Sequence, residues 1–511
     1  MRVPSAFRRP ALVLSALLLC ACASNPVTHR SQLMLISQEK EVRIGEEASK
    51  EIKREYGYYD ELPGLNAYLN EVGEKLVAQS DRRDLLFHFQ VLNSPVINAF
   101  ALPGGYVYVT RGLLARINTE EDLASVLGHE ITHVSARHGA AMISKAYAAQ
   151  SAFLLAAIFY PQAMGAFGDL ANLALNLAFL GHSRAMEAQA DEYGIRYMVK
   201  AGYSPLGAVD CFQMFKSIED HEPGKMERFL LSHPPTEQRL AFARQRLADL
   251  RETNPALADA PLRREVYLRR LENLMLGQAD GEKVVVENVF YHKHYGAAFT
   301  FPDAYSAVLN PKEGEVVLRR DQKEGEGDNA RRIPYLIGFE VNPLHKQESV
   351  ESYVEGYLKA MKAAKWDKGI ERAQTREGLP LVLKTLDMSG GDEGPVRVLA
   401  GFLLRGKEAY VLYGMTLRGK FDAARPGFLE VISSLRFPPA GEVAQVQPPR
   451  LRLVTAAAGD TWASLSVREL GSDRFAEKLA AYNGTFDPAV QPPAGTLLKI
   501  PSRQSLTAKE M

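Results

Sequence analysis

Residues 129–133 read His-Glu-Ile-Thr-His. On an α-helix, positions i and i+4 lie one above the other on the same face. His129 and His133 would then aim two imidazoles at one point, a ready pair of ligands for zinc. Glu130, between them, can reach a water on that metal and act as the base that peptide hydrolysis needs. Histidine is scarce, 11 in 511 residues, so a helical pair around a glutamate is an uncommon pattern. A catalytic zinc usually takes three protein ligands and a water. A second candidate helix begins near Ser183 and reads S-R-A-M-E-A-Q-A-D-E-Y-G. Its Glu187 and Asp191 are four apart, on one face. Glu187 is placed to bind the metal, and Asp191 to accept a hydrogen bond from a ligand histidine and so fix its tautomer. Without the first motif the same pair reads as an ordinary solvated acidic face.

The elements that must position these residues also leave a pattern. Thr119 and Asp122 form a T-x-x-D capping box, and Leu123, Leu127, Ile131 and Val134 follow at helical spacing. That stripe lies roughly opposite the two histidines, so the spacing predicts a helix with its aliphatic face on a core and its histidines on a cleft. Residues 65–77 predict another amphipathic helix, with Leu65, Tyr68, Leu69, Val72 and Leu76 on one stripe. Phe87 to Leu92, Ile97 to Leu102 and Tyr106 to Thr110 read as short strands, with a turn at Pro103-Gly104-Gly105. An exposed edge there could pair with a peptide main chain, which favours unfolded or misfolded proteins as substrates; otherwise the strands are scaffold. Alternating basic and acidic residues through 237–275 read as closing helices.

Taken in order, these motifs resemble those of the HtpX-like and CAAX-prenyl-protease-like zinc metallopeptidases, gluzincins with HExxH followed by ExxxD on a later helix. Three more stretches are similar to bacterial lipoprotein members: N-P-V-T-H-R-S-Q-L-M-L-I-S (25–37), I-N-A-F-A-L-P-G-G-Y-V-Y-V-T-R-G-L-L (97–114) and S-H-P-P-T-E-Q-R (232–239). The resemblance covers roughly residues 25 to 275. It implies one zinc per chain held by His129, His133 and Glu187, with Glu130 as general base and Asp191 as the orienting acid. His233 and Arg239 match a motif near the family's active site, which implies gating or stabilisation of the oxyanion. Read alone, Ser232-His233-Pro234-Pro235 is equally a turn opening the next helix. His138 and His182 match no metal position and are expected as polar surface residues. From 146 to 183 the only charged residue is Asp169. The run is long enough for a membrane span, but Pro161, Gly165 and Gly168 interrupt it, and the two metal helices must meet on one side. A helical lid or a membrane-touching surface is expected, as the family covers its active site with this connection.

The N-terminus has Arg2, Arg8 and Arg9, then a short apolar run from Ala11 to Leu19, then Leu19-Cys20-Ala21-Cys22. This resembles a lipobox, with Cys22 as the lipidated residue and a plain secretory peptide as the alternative; Ala23 then favours the outer membrane. Removing Cys20 and acylating Cys22 would leave Cys211 alone, without a disulfide partner. The 61 basic and 61 acidic residues balance to zero net charge, so no electrostatic footprint for nucleic acid is present.

Beyond Gly281 the pattern becomes strand-rich, with runs at 283–290, 297–301, 315–319, 335–341, 396–404 and 409–417. A periodic helix is marked by Val350, Tyr353, Val354, Tyr357, Leu358 and Met361, and a last helix runs from about Phe421 to Leu435. This is α+β, an antiparallel sheet with helices on one face, similar to PsbP-like domains. Residues 450–501, with G-D-T, then Tyr482-Asn483, then P-P-A-G-T-L-L-K-I-P, resemble a LysM module. That resemblance implies peptidoglycan binding, unless the module only packs on its neighbours.

The whole is expected to be a multidomain α+β chain. Residues 1–22 are a lipoprotein signal peptide and 23–278 a mainly helical metallopeptidase core with a small β-hairpin or sheet. A PsbP-like domain (281–438), a Pro-rich linker (439–449), a LysM-like βααβ domain (450–501) and a tail (502–511) follow. The expected function is a zinc-dependent endopeptidase on the periplasmic side of the outer membrane, acting on misfolded or stalled envelope proteins. The alternative is a gated chaperone or assembly factor for outer-membrane proteins, with little proteolysis. A wall-binding structural lipoprotein is disfavoured by the intact metal constellation.

Overall fold

The computed structural model describes residues 22–502 apart from 148–181, 222–232, 234–236, 281, 287, 303–304, 310–315, 325–330, 345–346, 362–364, 367–368, 390–393 and 488. The expected signal peptide before Cys22, most of the 146–183 connection, Ser232, Pro234, Pro235 and the tail after 502 lie outside the described residues. Among the described residues no helix is long and apolar enough to cross a membrane. The chain forms two compact units. One takes the residues up to Leu276 together with Arg450–Ser502, and the other takes Gly277–Pro449. The fold is mixed α+β, with a largely helical first unit and several separate sheets.

The first unit opens with a hairpin, β1 (Cys22–Ser24) paired with β2 (Ser31–Leu33), so Cys22 lies at the start of a strand. Helix α1 (Gln38–Tyr56) starts where the Ser37 side chain accepts from the Lys40 amide, and stops at Gly57, whose φ of 64° no helix can continue. In α2 (Leu65–Val77) the expected stripe of Leu65, Tyr68, Leu69, Val72 and Leu76 is buried. Then come β3 (His88–Leu92), β4 (Ala99–Leu102) and β5 (Tyr106–Thr110), in sheet order β3-β5-β4 with β4 antiparallel to β5. The turn between β4 and β5 requires glycine twice. Gly104 and Gly105 have φ of 83° and 98°, and a Cβ on either would meet backbone, Val42 Cα at 2.7 Å and Leu86 O at 2.3 Å.

Helix α3 (Arg111–Arg116) leads into α4 (Glu120–Ser135), the helix of the His-Glu-Ile-Thr-His motif. The expected capping box is present: Thr119 accepts from the Asp122 amide, and Asp122 accepts from the Thr119 amide. Three carboxylates in the first turn face the positive end of the helix dipole. After it come α5 (Arg184–Lys200), α6 (Leu206–His221), α7 (Glu237–Thr253) and α8 (Arg264–Arg270). Helix α4 packs against α2, α5 and α6, which makes it the centre of the unit.

The second unit begins with an antiparallel meander: β6 (Gln278–Asp280), β7 (Lys283–Val286), β8 (Val289–His292) and β9 (Ala297–Thr300). The single strand expected over 283–290 is the β7–β8 hairpin, paired at Val286 and Val289. A larger antiparallel sheet contains β10 (Ser306–Leu309), β11 (Val316–Glu324), β12 (Arg331–Pro343), β13 (Lys365–Trp366), β14 (Glu371–Gln374), β15 (Pro380–Met388), β16 (Val396–Arg405) and β17 (Glu408–Leu417). Their order is β10-β11-β12-β17-β16-β15-β13, with β14 also on β15. Helix α9 (Val350–Ala360) packs on Val398, Ala400, Phe402 and Val411, while α10 (Phe421–Ser433) packs on Leu399, Leu403, Tyr410 and Leu412. Alternate residues of β16 and β17 thus serve opposite faces, and the helices cover both faces of the sheet rather than one. The cause is in the strands: β16 reads V-R-V-L-A-G-F-L-L-R, apolar at consecutive positions, so both of its faces need cover.

The chain then returns to the first unit. A short stretch pairs with the end of the α8 region, where Leu451 donates to Leu274 O and Asn273 to Leu451 O, both at 2.8 Å. Then follow β18 (Leu451–Thr455), α11 (Trp462–Leu470), α12 (Ala476–Tyr482) and β19 (Leu497–Pro501), a βααβ arrangement with β18 antiparallel to β19. Trp462, Leu465, Leu479, Leu498 and Ile500 form its core.

Candidate metal centre

Helix α4 is buried along nearly its whole length, including its first-turn carboxylates. Each of these is satisfied. Glu120 accepts from the hydroxyls of Tyr68 (2.9 Å) and Tyr203 (3.0 Å), and Glu121 from the amide (2.9 Å) and guanidinium (2.6 Å) of Arg263. At the other end Arg82 donates to Val134 O (3.1 Å) and to buried Glu41 (3.0 Å). Arg137, left-handed at φ 58°, donates to the same Glu41 (2.7 Å) and to Ile36 O (2.8 Å). The helix is therefore held at both ends. Its middle meets α5 at a pair of glycines. A Cβ on Gly128 would stand 2.8 Å from Gly194 O, and a Cβ on Gly194 would stand 2.8 Å from His129 N. The two backbones touch because neither residue has a side chain.

This close crossing brings the expected residues to one point. The Nε2 atoms of His129 and His133 are 3.0 Å apart. Glu187 places Oε2 3.5 Å from His129 Nε2 and Oε1 3.4 Å from His133 Nε2. His233 joins them, its Nδ1 3.2 Å from His129 Nε2 and 3.1 Å from both Glu187 oxygens. All four residues are buried and offer donor atoms within 4.8 Å of one another, a group that could hold a metal ion. A zinc with bonds of about 2.0–2.1 Å keeps tetrahedral donors about 3.3 Å apart. The observed separations of 3.0 to 3.5 Å scatter about that edge length, so the donor set fits the ion. Glu130 is 2% exposed, with Oε1 3.7 Å from His233 Nε2.

The surrounding groups fix these side chains. Asp191 lies 2.9 Å from His129 Nδ1, the contact that leaves Nε2 for a metal. Arg239 clamps Asp191 with two hydrogen bonds of 2.7 Å. Burial acts to raise the Asp191 carboxyl, but Arg239 and His129 outweigh it and hold it below the usual range. Burial acts to lower His129, yet the carboxylates of Glu187 and Asp191 raise it to about 9. His133 beside it is pushed the other way, lowered by burial and by His182. Burial raises Glu130, against the opposing influence of His233 and His129; a raised carboxyl is better matched to proton transfer near neutral pH.

His138 departs from expectation. It is 1% exposed rather than at the surface, and its Nδ1 lies 2.9 Å from His133 Nδ1, so it stands to His133 as Asp191 stands to His129. Its other nitrogen is 3.2 Å from Gln189 Oε1. His182 is half-buried, its ring stacked 3.9 Å from that of His133. His133, His138 and His182 form a second group whose donor atoms lie within 4.8 Å of one another and could hold a metal ion; the left-handed residue Arg137 directly precedes His138. Beside Glu130 and His129 lies a cavity with an apolar wall of Val126, Ile195, Phe212 and Phe215.

Residues 63–247 match the model of Peptidase family M48. The mitochondrial metalloendopeptidase OMA1 of Schizosaccharomyces pombe is 33% identical over 42% of this chain and 63% of that protein. The beta-barrel assembly-enhancing protease of Escherichia coli is 34% identical over 37% of this chain and 40% of that protein. The metalloprotease YcaL of Escherichia coli is 30% identical over 32% of this chain and 62% of that protein. The chain thus spans less than two thirds of these curated relatives. Among solved structures, a cyanobacterial PsbP from Synechocystis matches at 16% identity over 32% of this chain and 99% of that one, with a TM-score of 0.22. With the HExxH helix, the ExxxD helix and their four-donor cluster inside the matched segment, residues 63–247 are a domain of the M48 metallopeptidase family.

Proposed function

We propose that this chain is a zinc-dependent endopeptidase that acts on misfolded or stalled envelope proteins. The observation that carries the reading is the buried cluster of His129, His133, Glu187 and His233 donors with a buried glutamate beside it. His129, His133 and Glu187 would hold the zinc. A bound zinc supplies a Lewis acid that polarises the scissile carbonyl and acidifies water. Glu130 takes a proton and returns it to the leaving amine, and its raised carboxyl suits both transfers. Asp191 keeps the His129 tautomer fixed, with Arg239 holding Asp191 in place. The edge strand β4 packs on α4 and offers main chain for an extended substrate. The apolar cavity beside Glu130 suits a large apolar side chain next to the scissile bond. In the same reading Cys22 carries the lipid anchor, which places the enzyme at the outer membrane. The PsbP-like unit then serves docking, and the LysM-like module meets peptidoglycan on whatever face it leaves exposed.

One observation favours a gated form of this reading. His233 Nδ1 stands where a fourth donor would stand, and a catalytic zinc needs that position open. The side chain must withdraw before a peptide can be cut. A protein that keeps it in place would act as a chaperone or assembly factor for outer-membrane proteins, with little proteolysis. The test is cleavage of denatured casein by the form lacking residues 1–22, against Glu130→Gln at matched zinc content. Cleavage by the wild type alone, abolished by a chelator, supports the peptidase. Silence from both with zinc bound supports the gated form, and equal cleavage by both refutes Glu130 as the base.

A further inference from the structure

The last strand of the chain reaches back to the root of the metal-binding helix. Lys499, on β19, is fully buried. Its ammonium donates to the carbonyls of Ala115 (2.7 Å), Arg116 (2.9 Å) and Ile117 (2.9 Å). An ammonium has three protons, and all three are used. Those carbonyls end α3 and lie directly before the Thr119 cap of α4. The Tyr482 ring sits 4.4 Å from the same ammonium and 5.4 Å from the Arg116 guanidinium.

A second line of contacts closes a ring. Asn483 bonds both the amide (2.8 Å) and the carbonyl (2.9 Å) of Lys499. Arg264 donates to Asn483 O (3.2 Å), to Asn483 Oδ1 (3.0 Å) and to Leu497 O (3.1 Å). Its neighbour Arg263 holds Glu121 in the first turn of α4. The start of α4 is therefore gripped from both sides by groups tied to the C-terminal module. From Thr119 to Glu130 the helix rises about 16 Å, and a rigid helix passes any tilt at its root to the histidines.

We propose that Lys499 is a positioning residue for the M48 domain, and that residues 450–502 brace the metal-binding helix. The Tyr482–Asn483–Lys499 face is consumed by this contact, so a glycan would have to bind elsewhere on the module. The kinetic part of the proposal rests on the peptidase reading; the brace itself does not.

The experiment uses the full chain with Lys499→Met, and with Arg264→Gln as a milder variant that keeps the ammonium in place should the first fail to fold. Amide hydrogen exchange over 113–124 is expected to quicken by about tenfold or more. Casein hydrolysis at saturating zinc is expected to lose on the order of tenfold to a hundredfold in kcat with KM unchanged. Wild-type exchange and wild-type kcat in a folded variant would overturn the proposal. If the wild type cuts nothing, the peptidase reading fails by itself, and the exchange rates alone decide on the brace.

Discussion

Replacing Gly194 by alanine tests whether the glycine crossing sets the geometry of the metal centre. The added Cβ would lie 2.8 Å from His129 N, 2.9 Å from Gly128 C and 3.1 Å from Gly128 O. All three are backbone atoms, so no side chain can swing away. Ordinary carbon contacts begin near 3.4 Å, so α4 and α5 must part by about 0.5 Å. Overpacking of this kind costs about 1–3 kcal/mol, which lowers the melting temperature by several degrees. The metal centre responds more sharply. Glu187 lies two turns before Gly194 on the same face of α5, so it moves with the helix, and ligand distances tolerate only about ±0.2 Å. Zinc affinity, measured by competition with a chromogenic chelator, should fall by about tenfold or more. Gly356 is the control, since an added Cβ there, within α9, meets nothing within 4 Å. Alanine at 356 should leave zinc affinity unchanged and raise stability by about 0.4–1 kcal/mol. If Gly194→Ala melts and binds zinc as the wild type does, the glycine contact does not set the ligand geometry.

Three further outcomes are expected. Asp191→Asn can no longer neutralise Arg239 or hold the His129 tautomer, and zinc affinity should drop about 10–100-fold, read by the same competition. His233→Ala opens the fourth donor position, so casein hydrolysis should rise; a loss would assign His233 to the reaction and not to its gate. In the second unit His292 is 6% exposed with Nδ1 unbonded, and burial, with Lys283 and His294 adding to it, lowers it to about 4. A histidine depressed in the fold stays neutral while the unfolded chain takes up a proton. Its contribution is therefore present above about pH 6.5 and lost as pH falls toward 4, a swing of about 3 kcal/mol. In urea unfolding from pH 4.5 to 7.5, His292→Phe should flatten this slope; an unchanged slope would remove His292 as its source.

How much of this was legible depends on the range of the interaction. The α4 cap and stripe are local, and Thr119, Asp122, Leu123, Leu127, Ile131 and Val134 all sit as their spacing predicts. Glu187 and Asp191 could be read as a pair because four residues is one helical turn, although which carboxylate meets which histidine depends on a crossing angle no spacing encodes. Burial of Glu120 and Glu121 was not legible, since their partners Tyr68, Tyr203 and Arg263 come from distant segments. The place of His138 was hidden for another reason: an arginine in left-handed conformation leaves no mark like a glycine would. Both covered faces of the large sheet were written in the unbroken apolar run of β16, a signal that the alternation template passes over.

The chain leaves the first unit after Leu276 and returns to it at Arg450, and Leu274 pairs with Leu451 within that unit. This has a temporal consequence. The carbonyls at 115–117 wait for a lysine more than three hundred residues later in synthesis. A chain synthesised only as far as the inserted unit has its histidines and glutamates, but not the ammonium that contacts the root of their helix. Under the proposed brace, the root of the metal-binding helix is secured only when the last strand has been made.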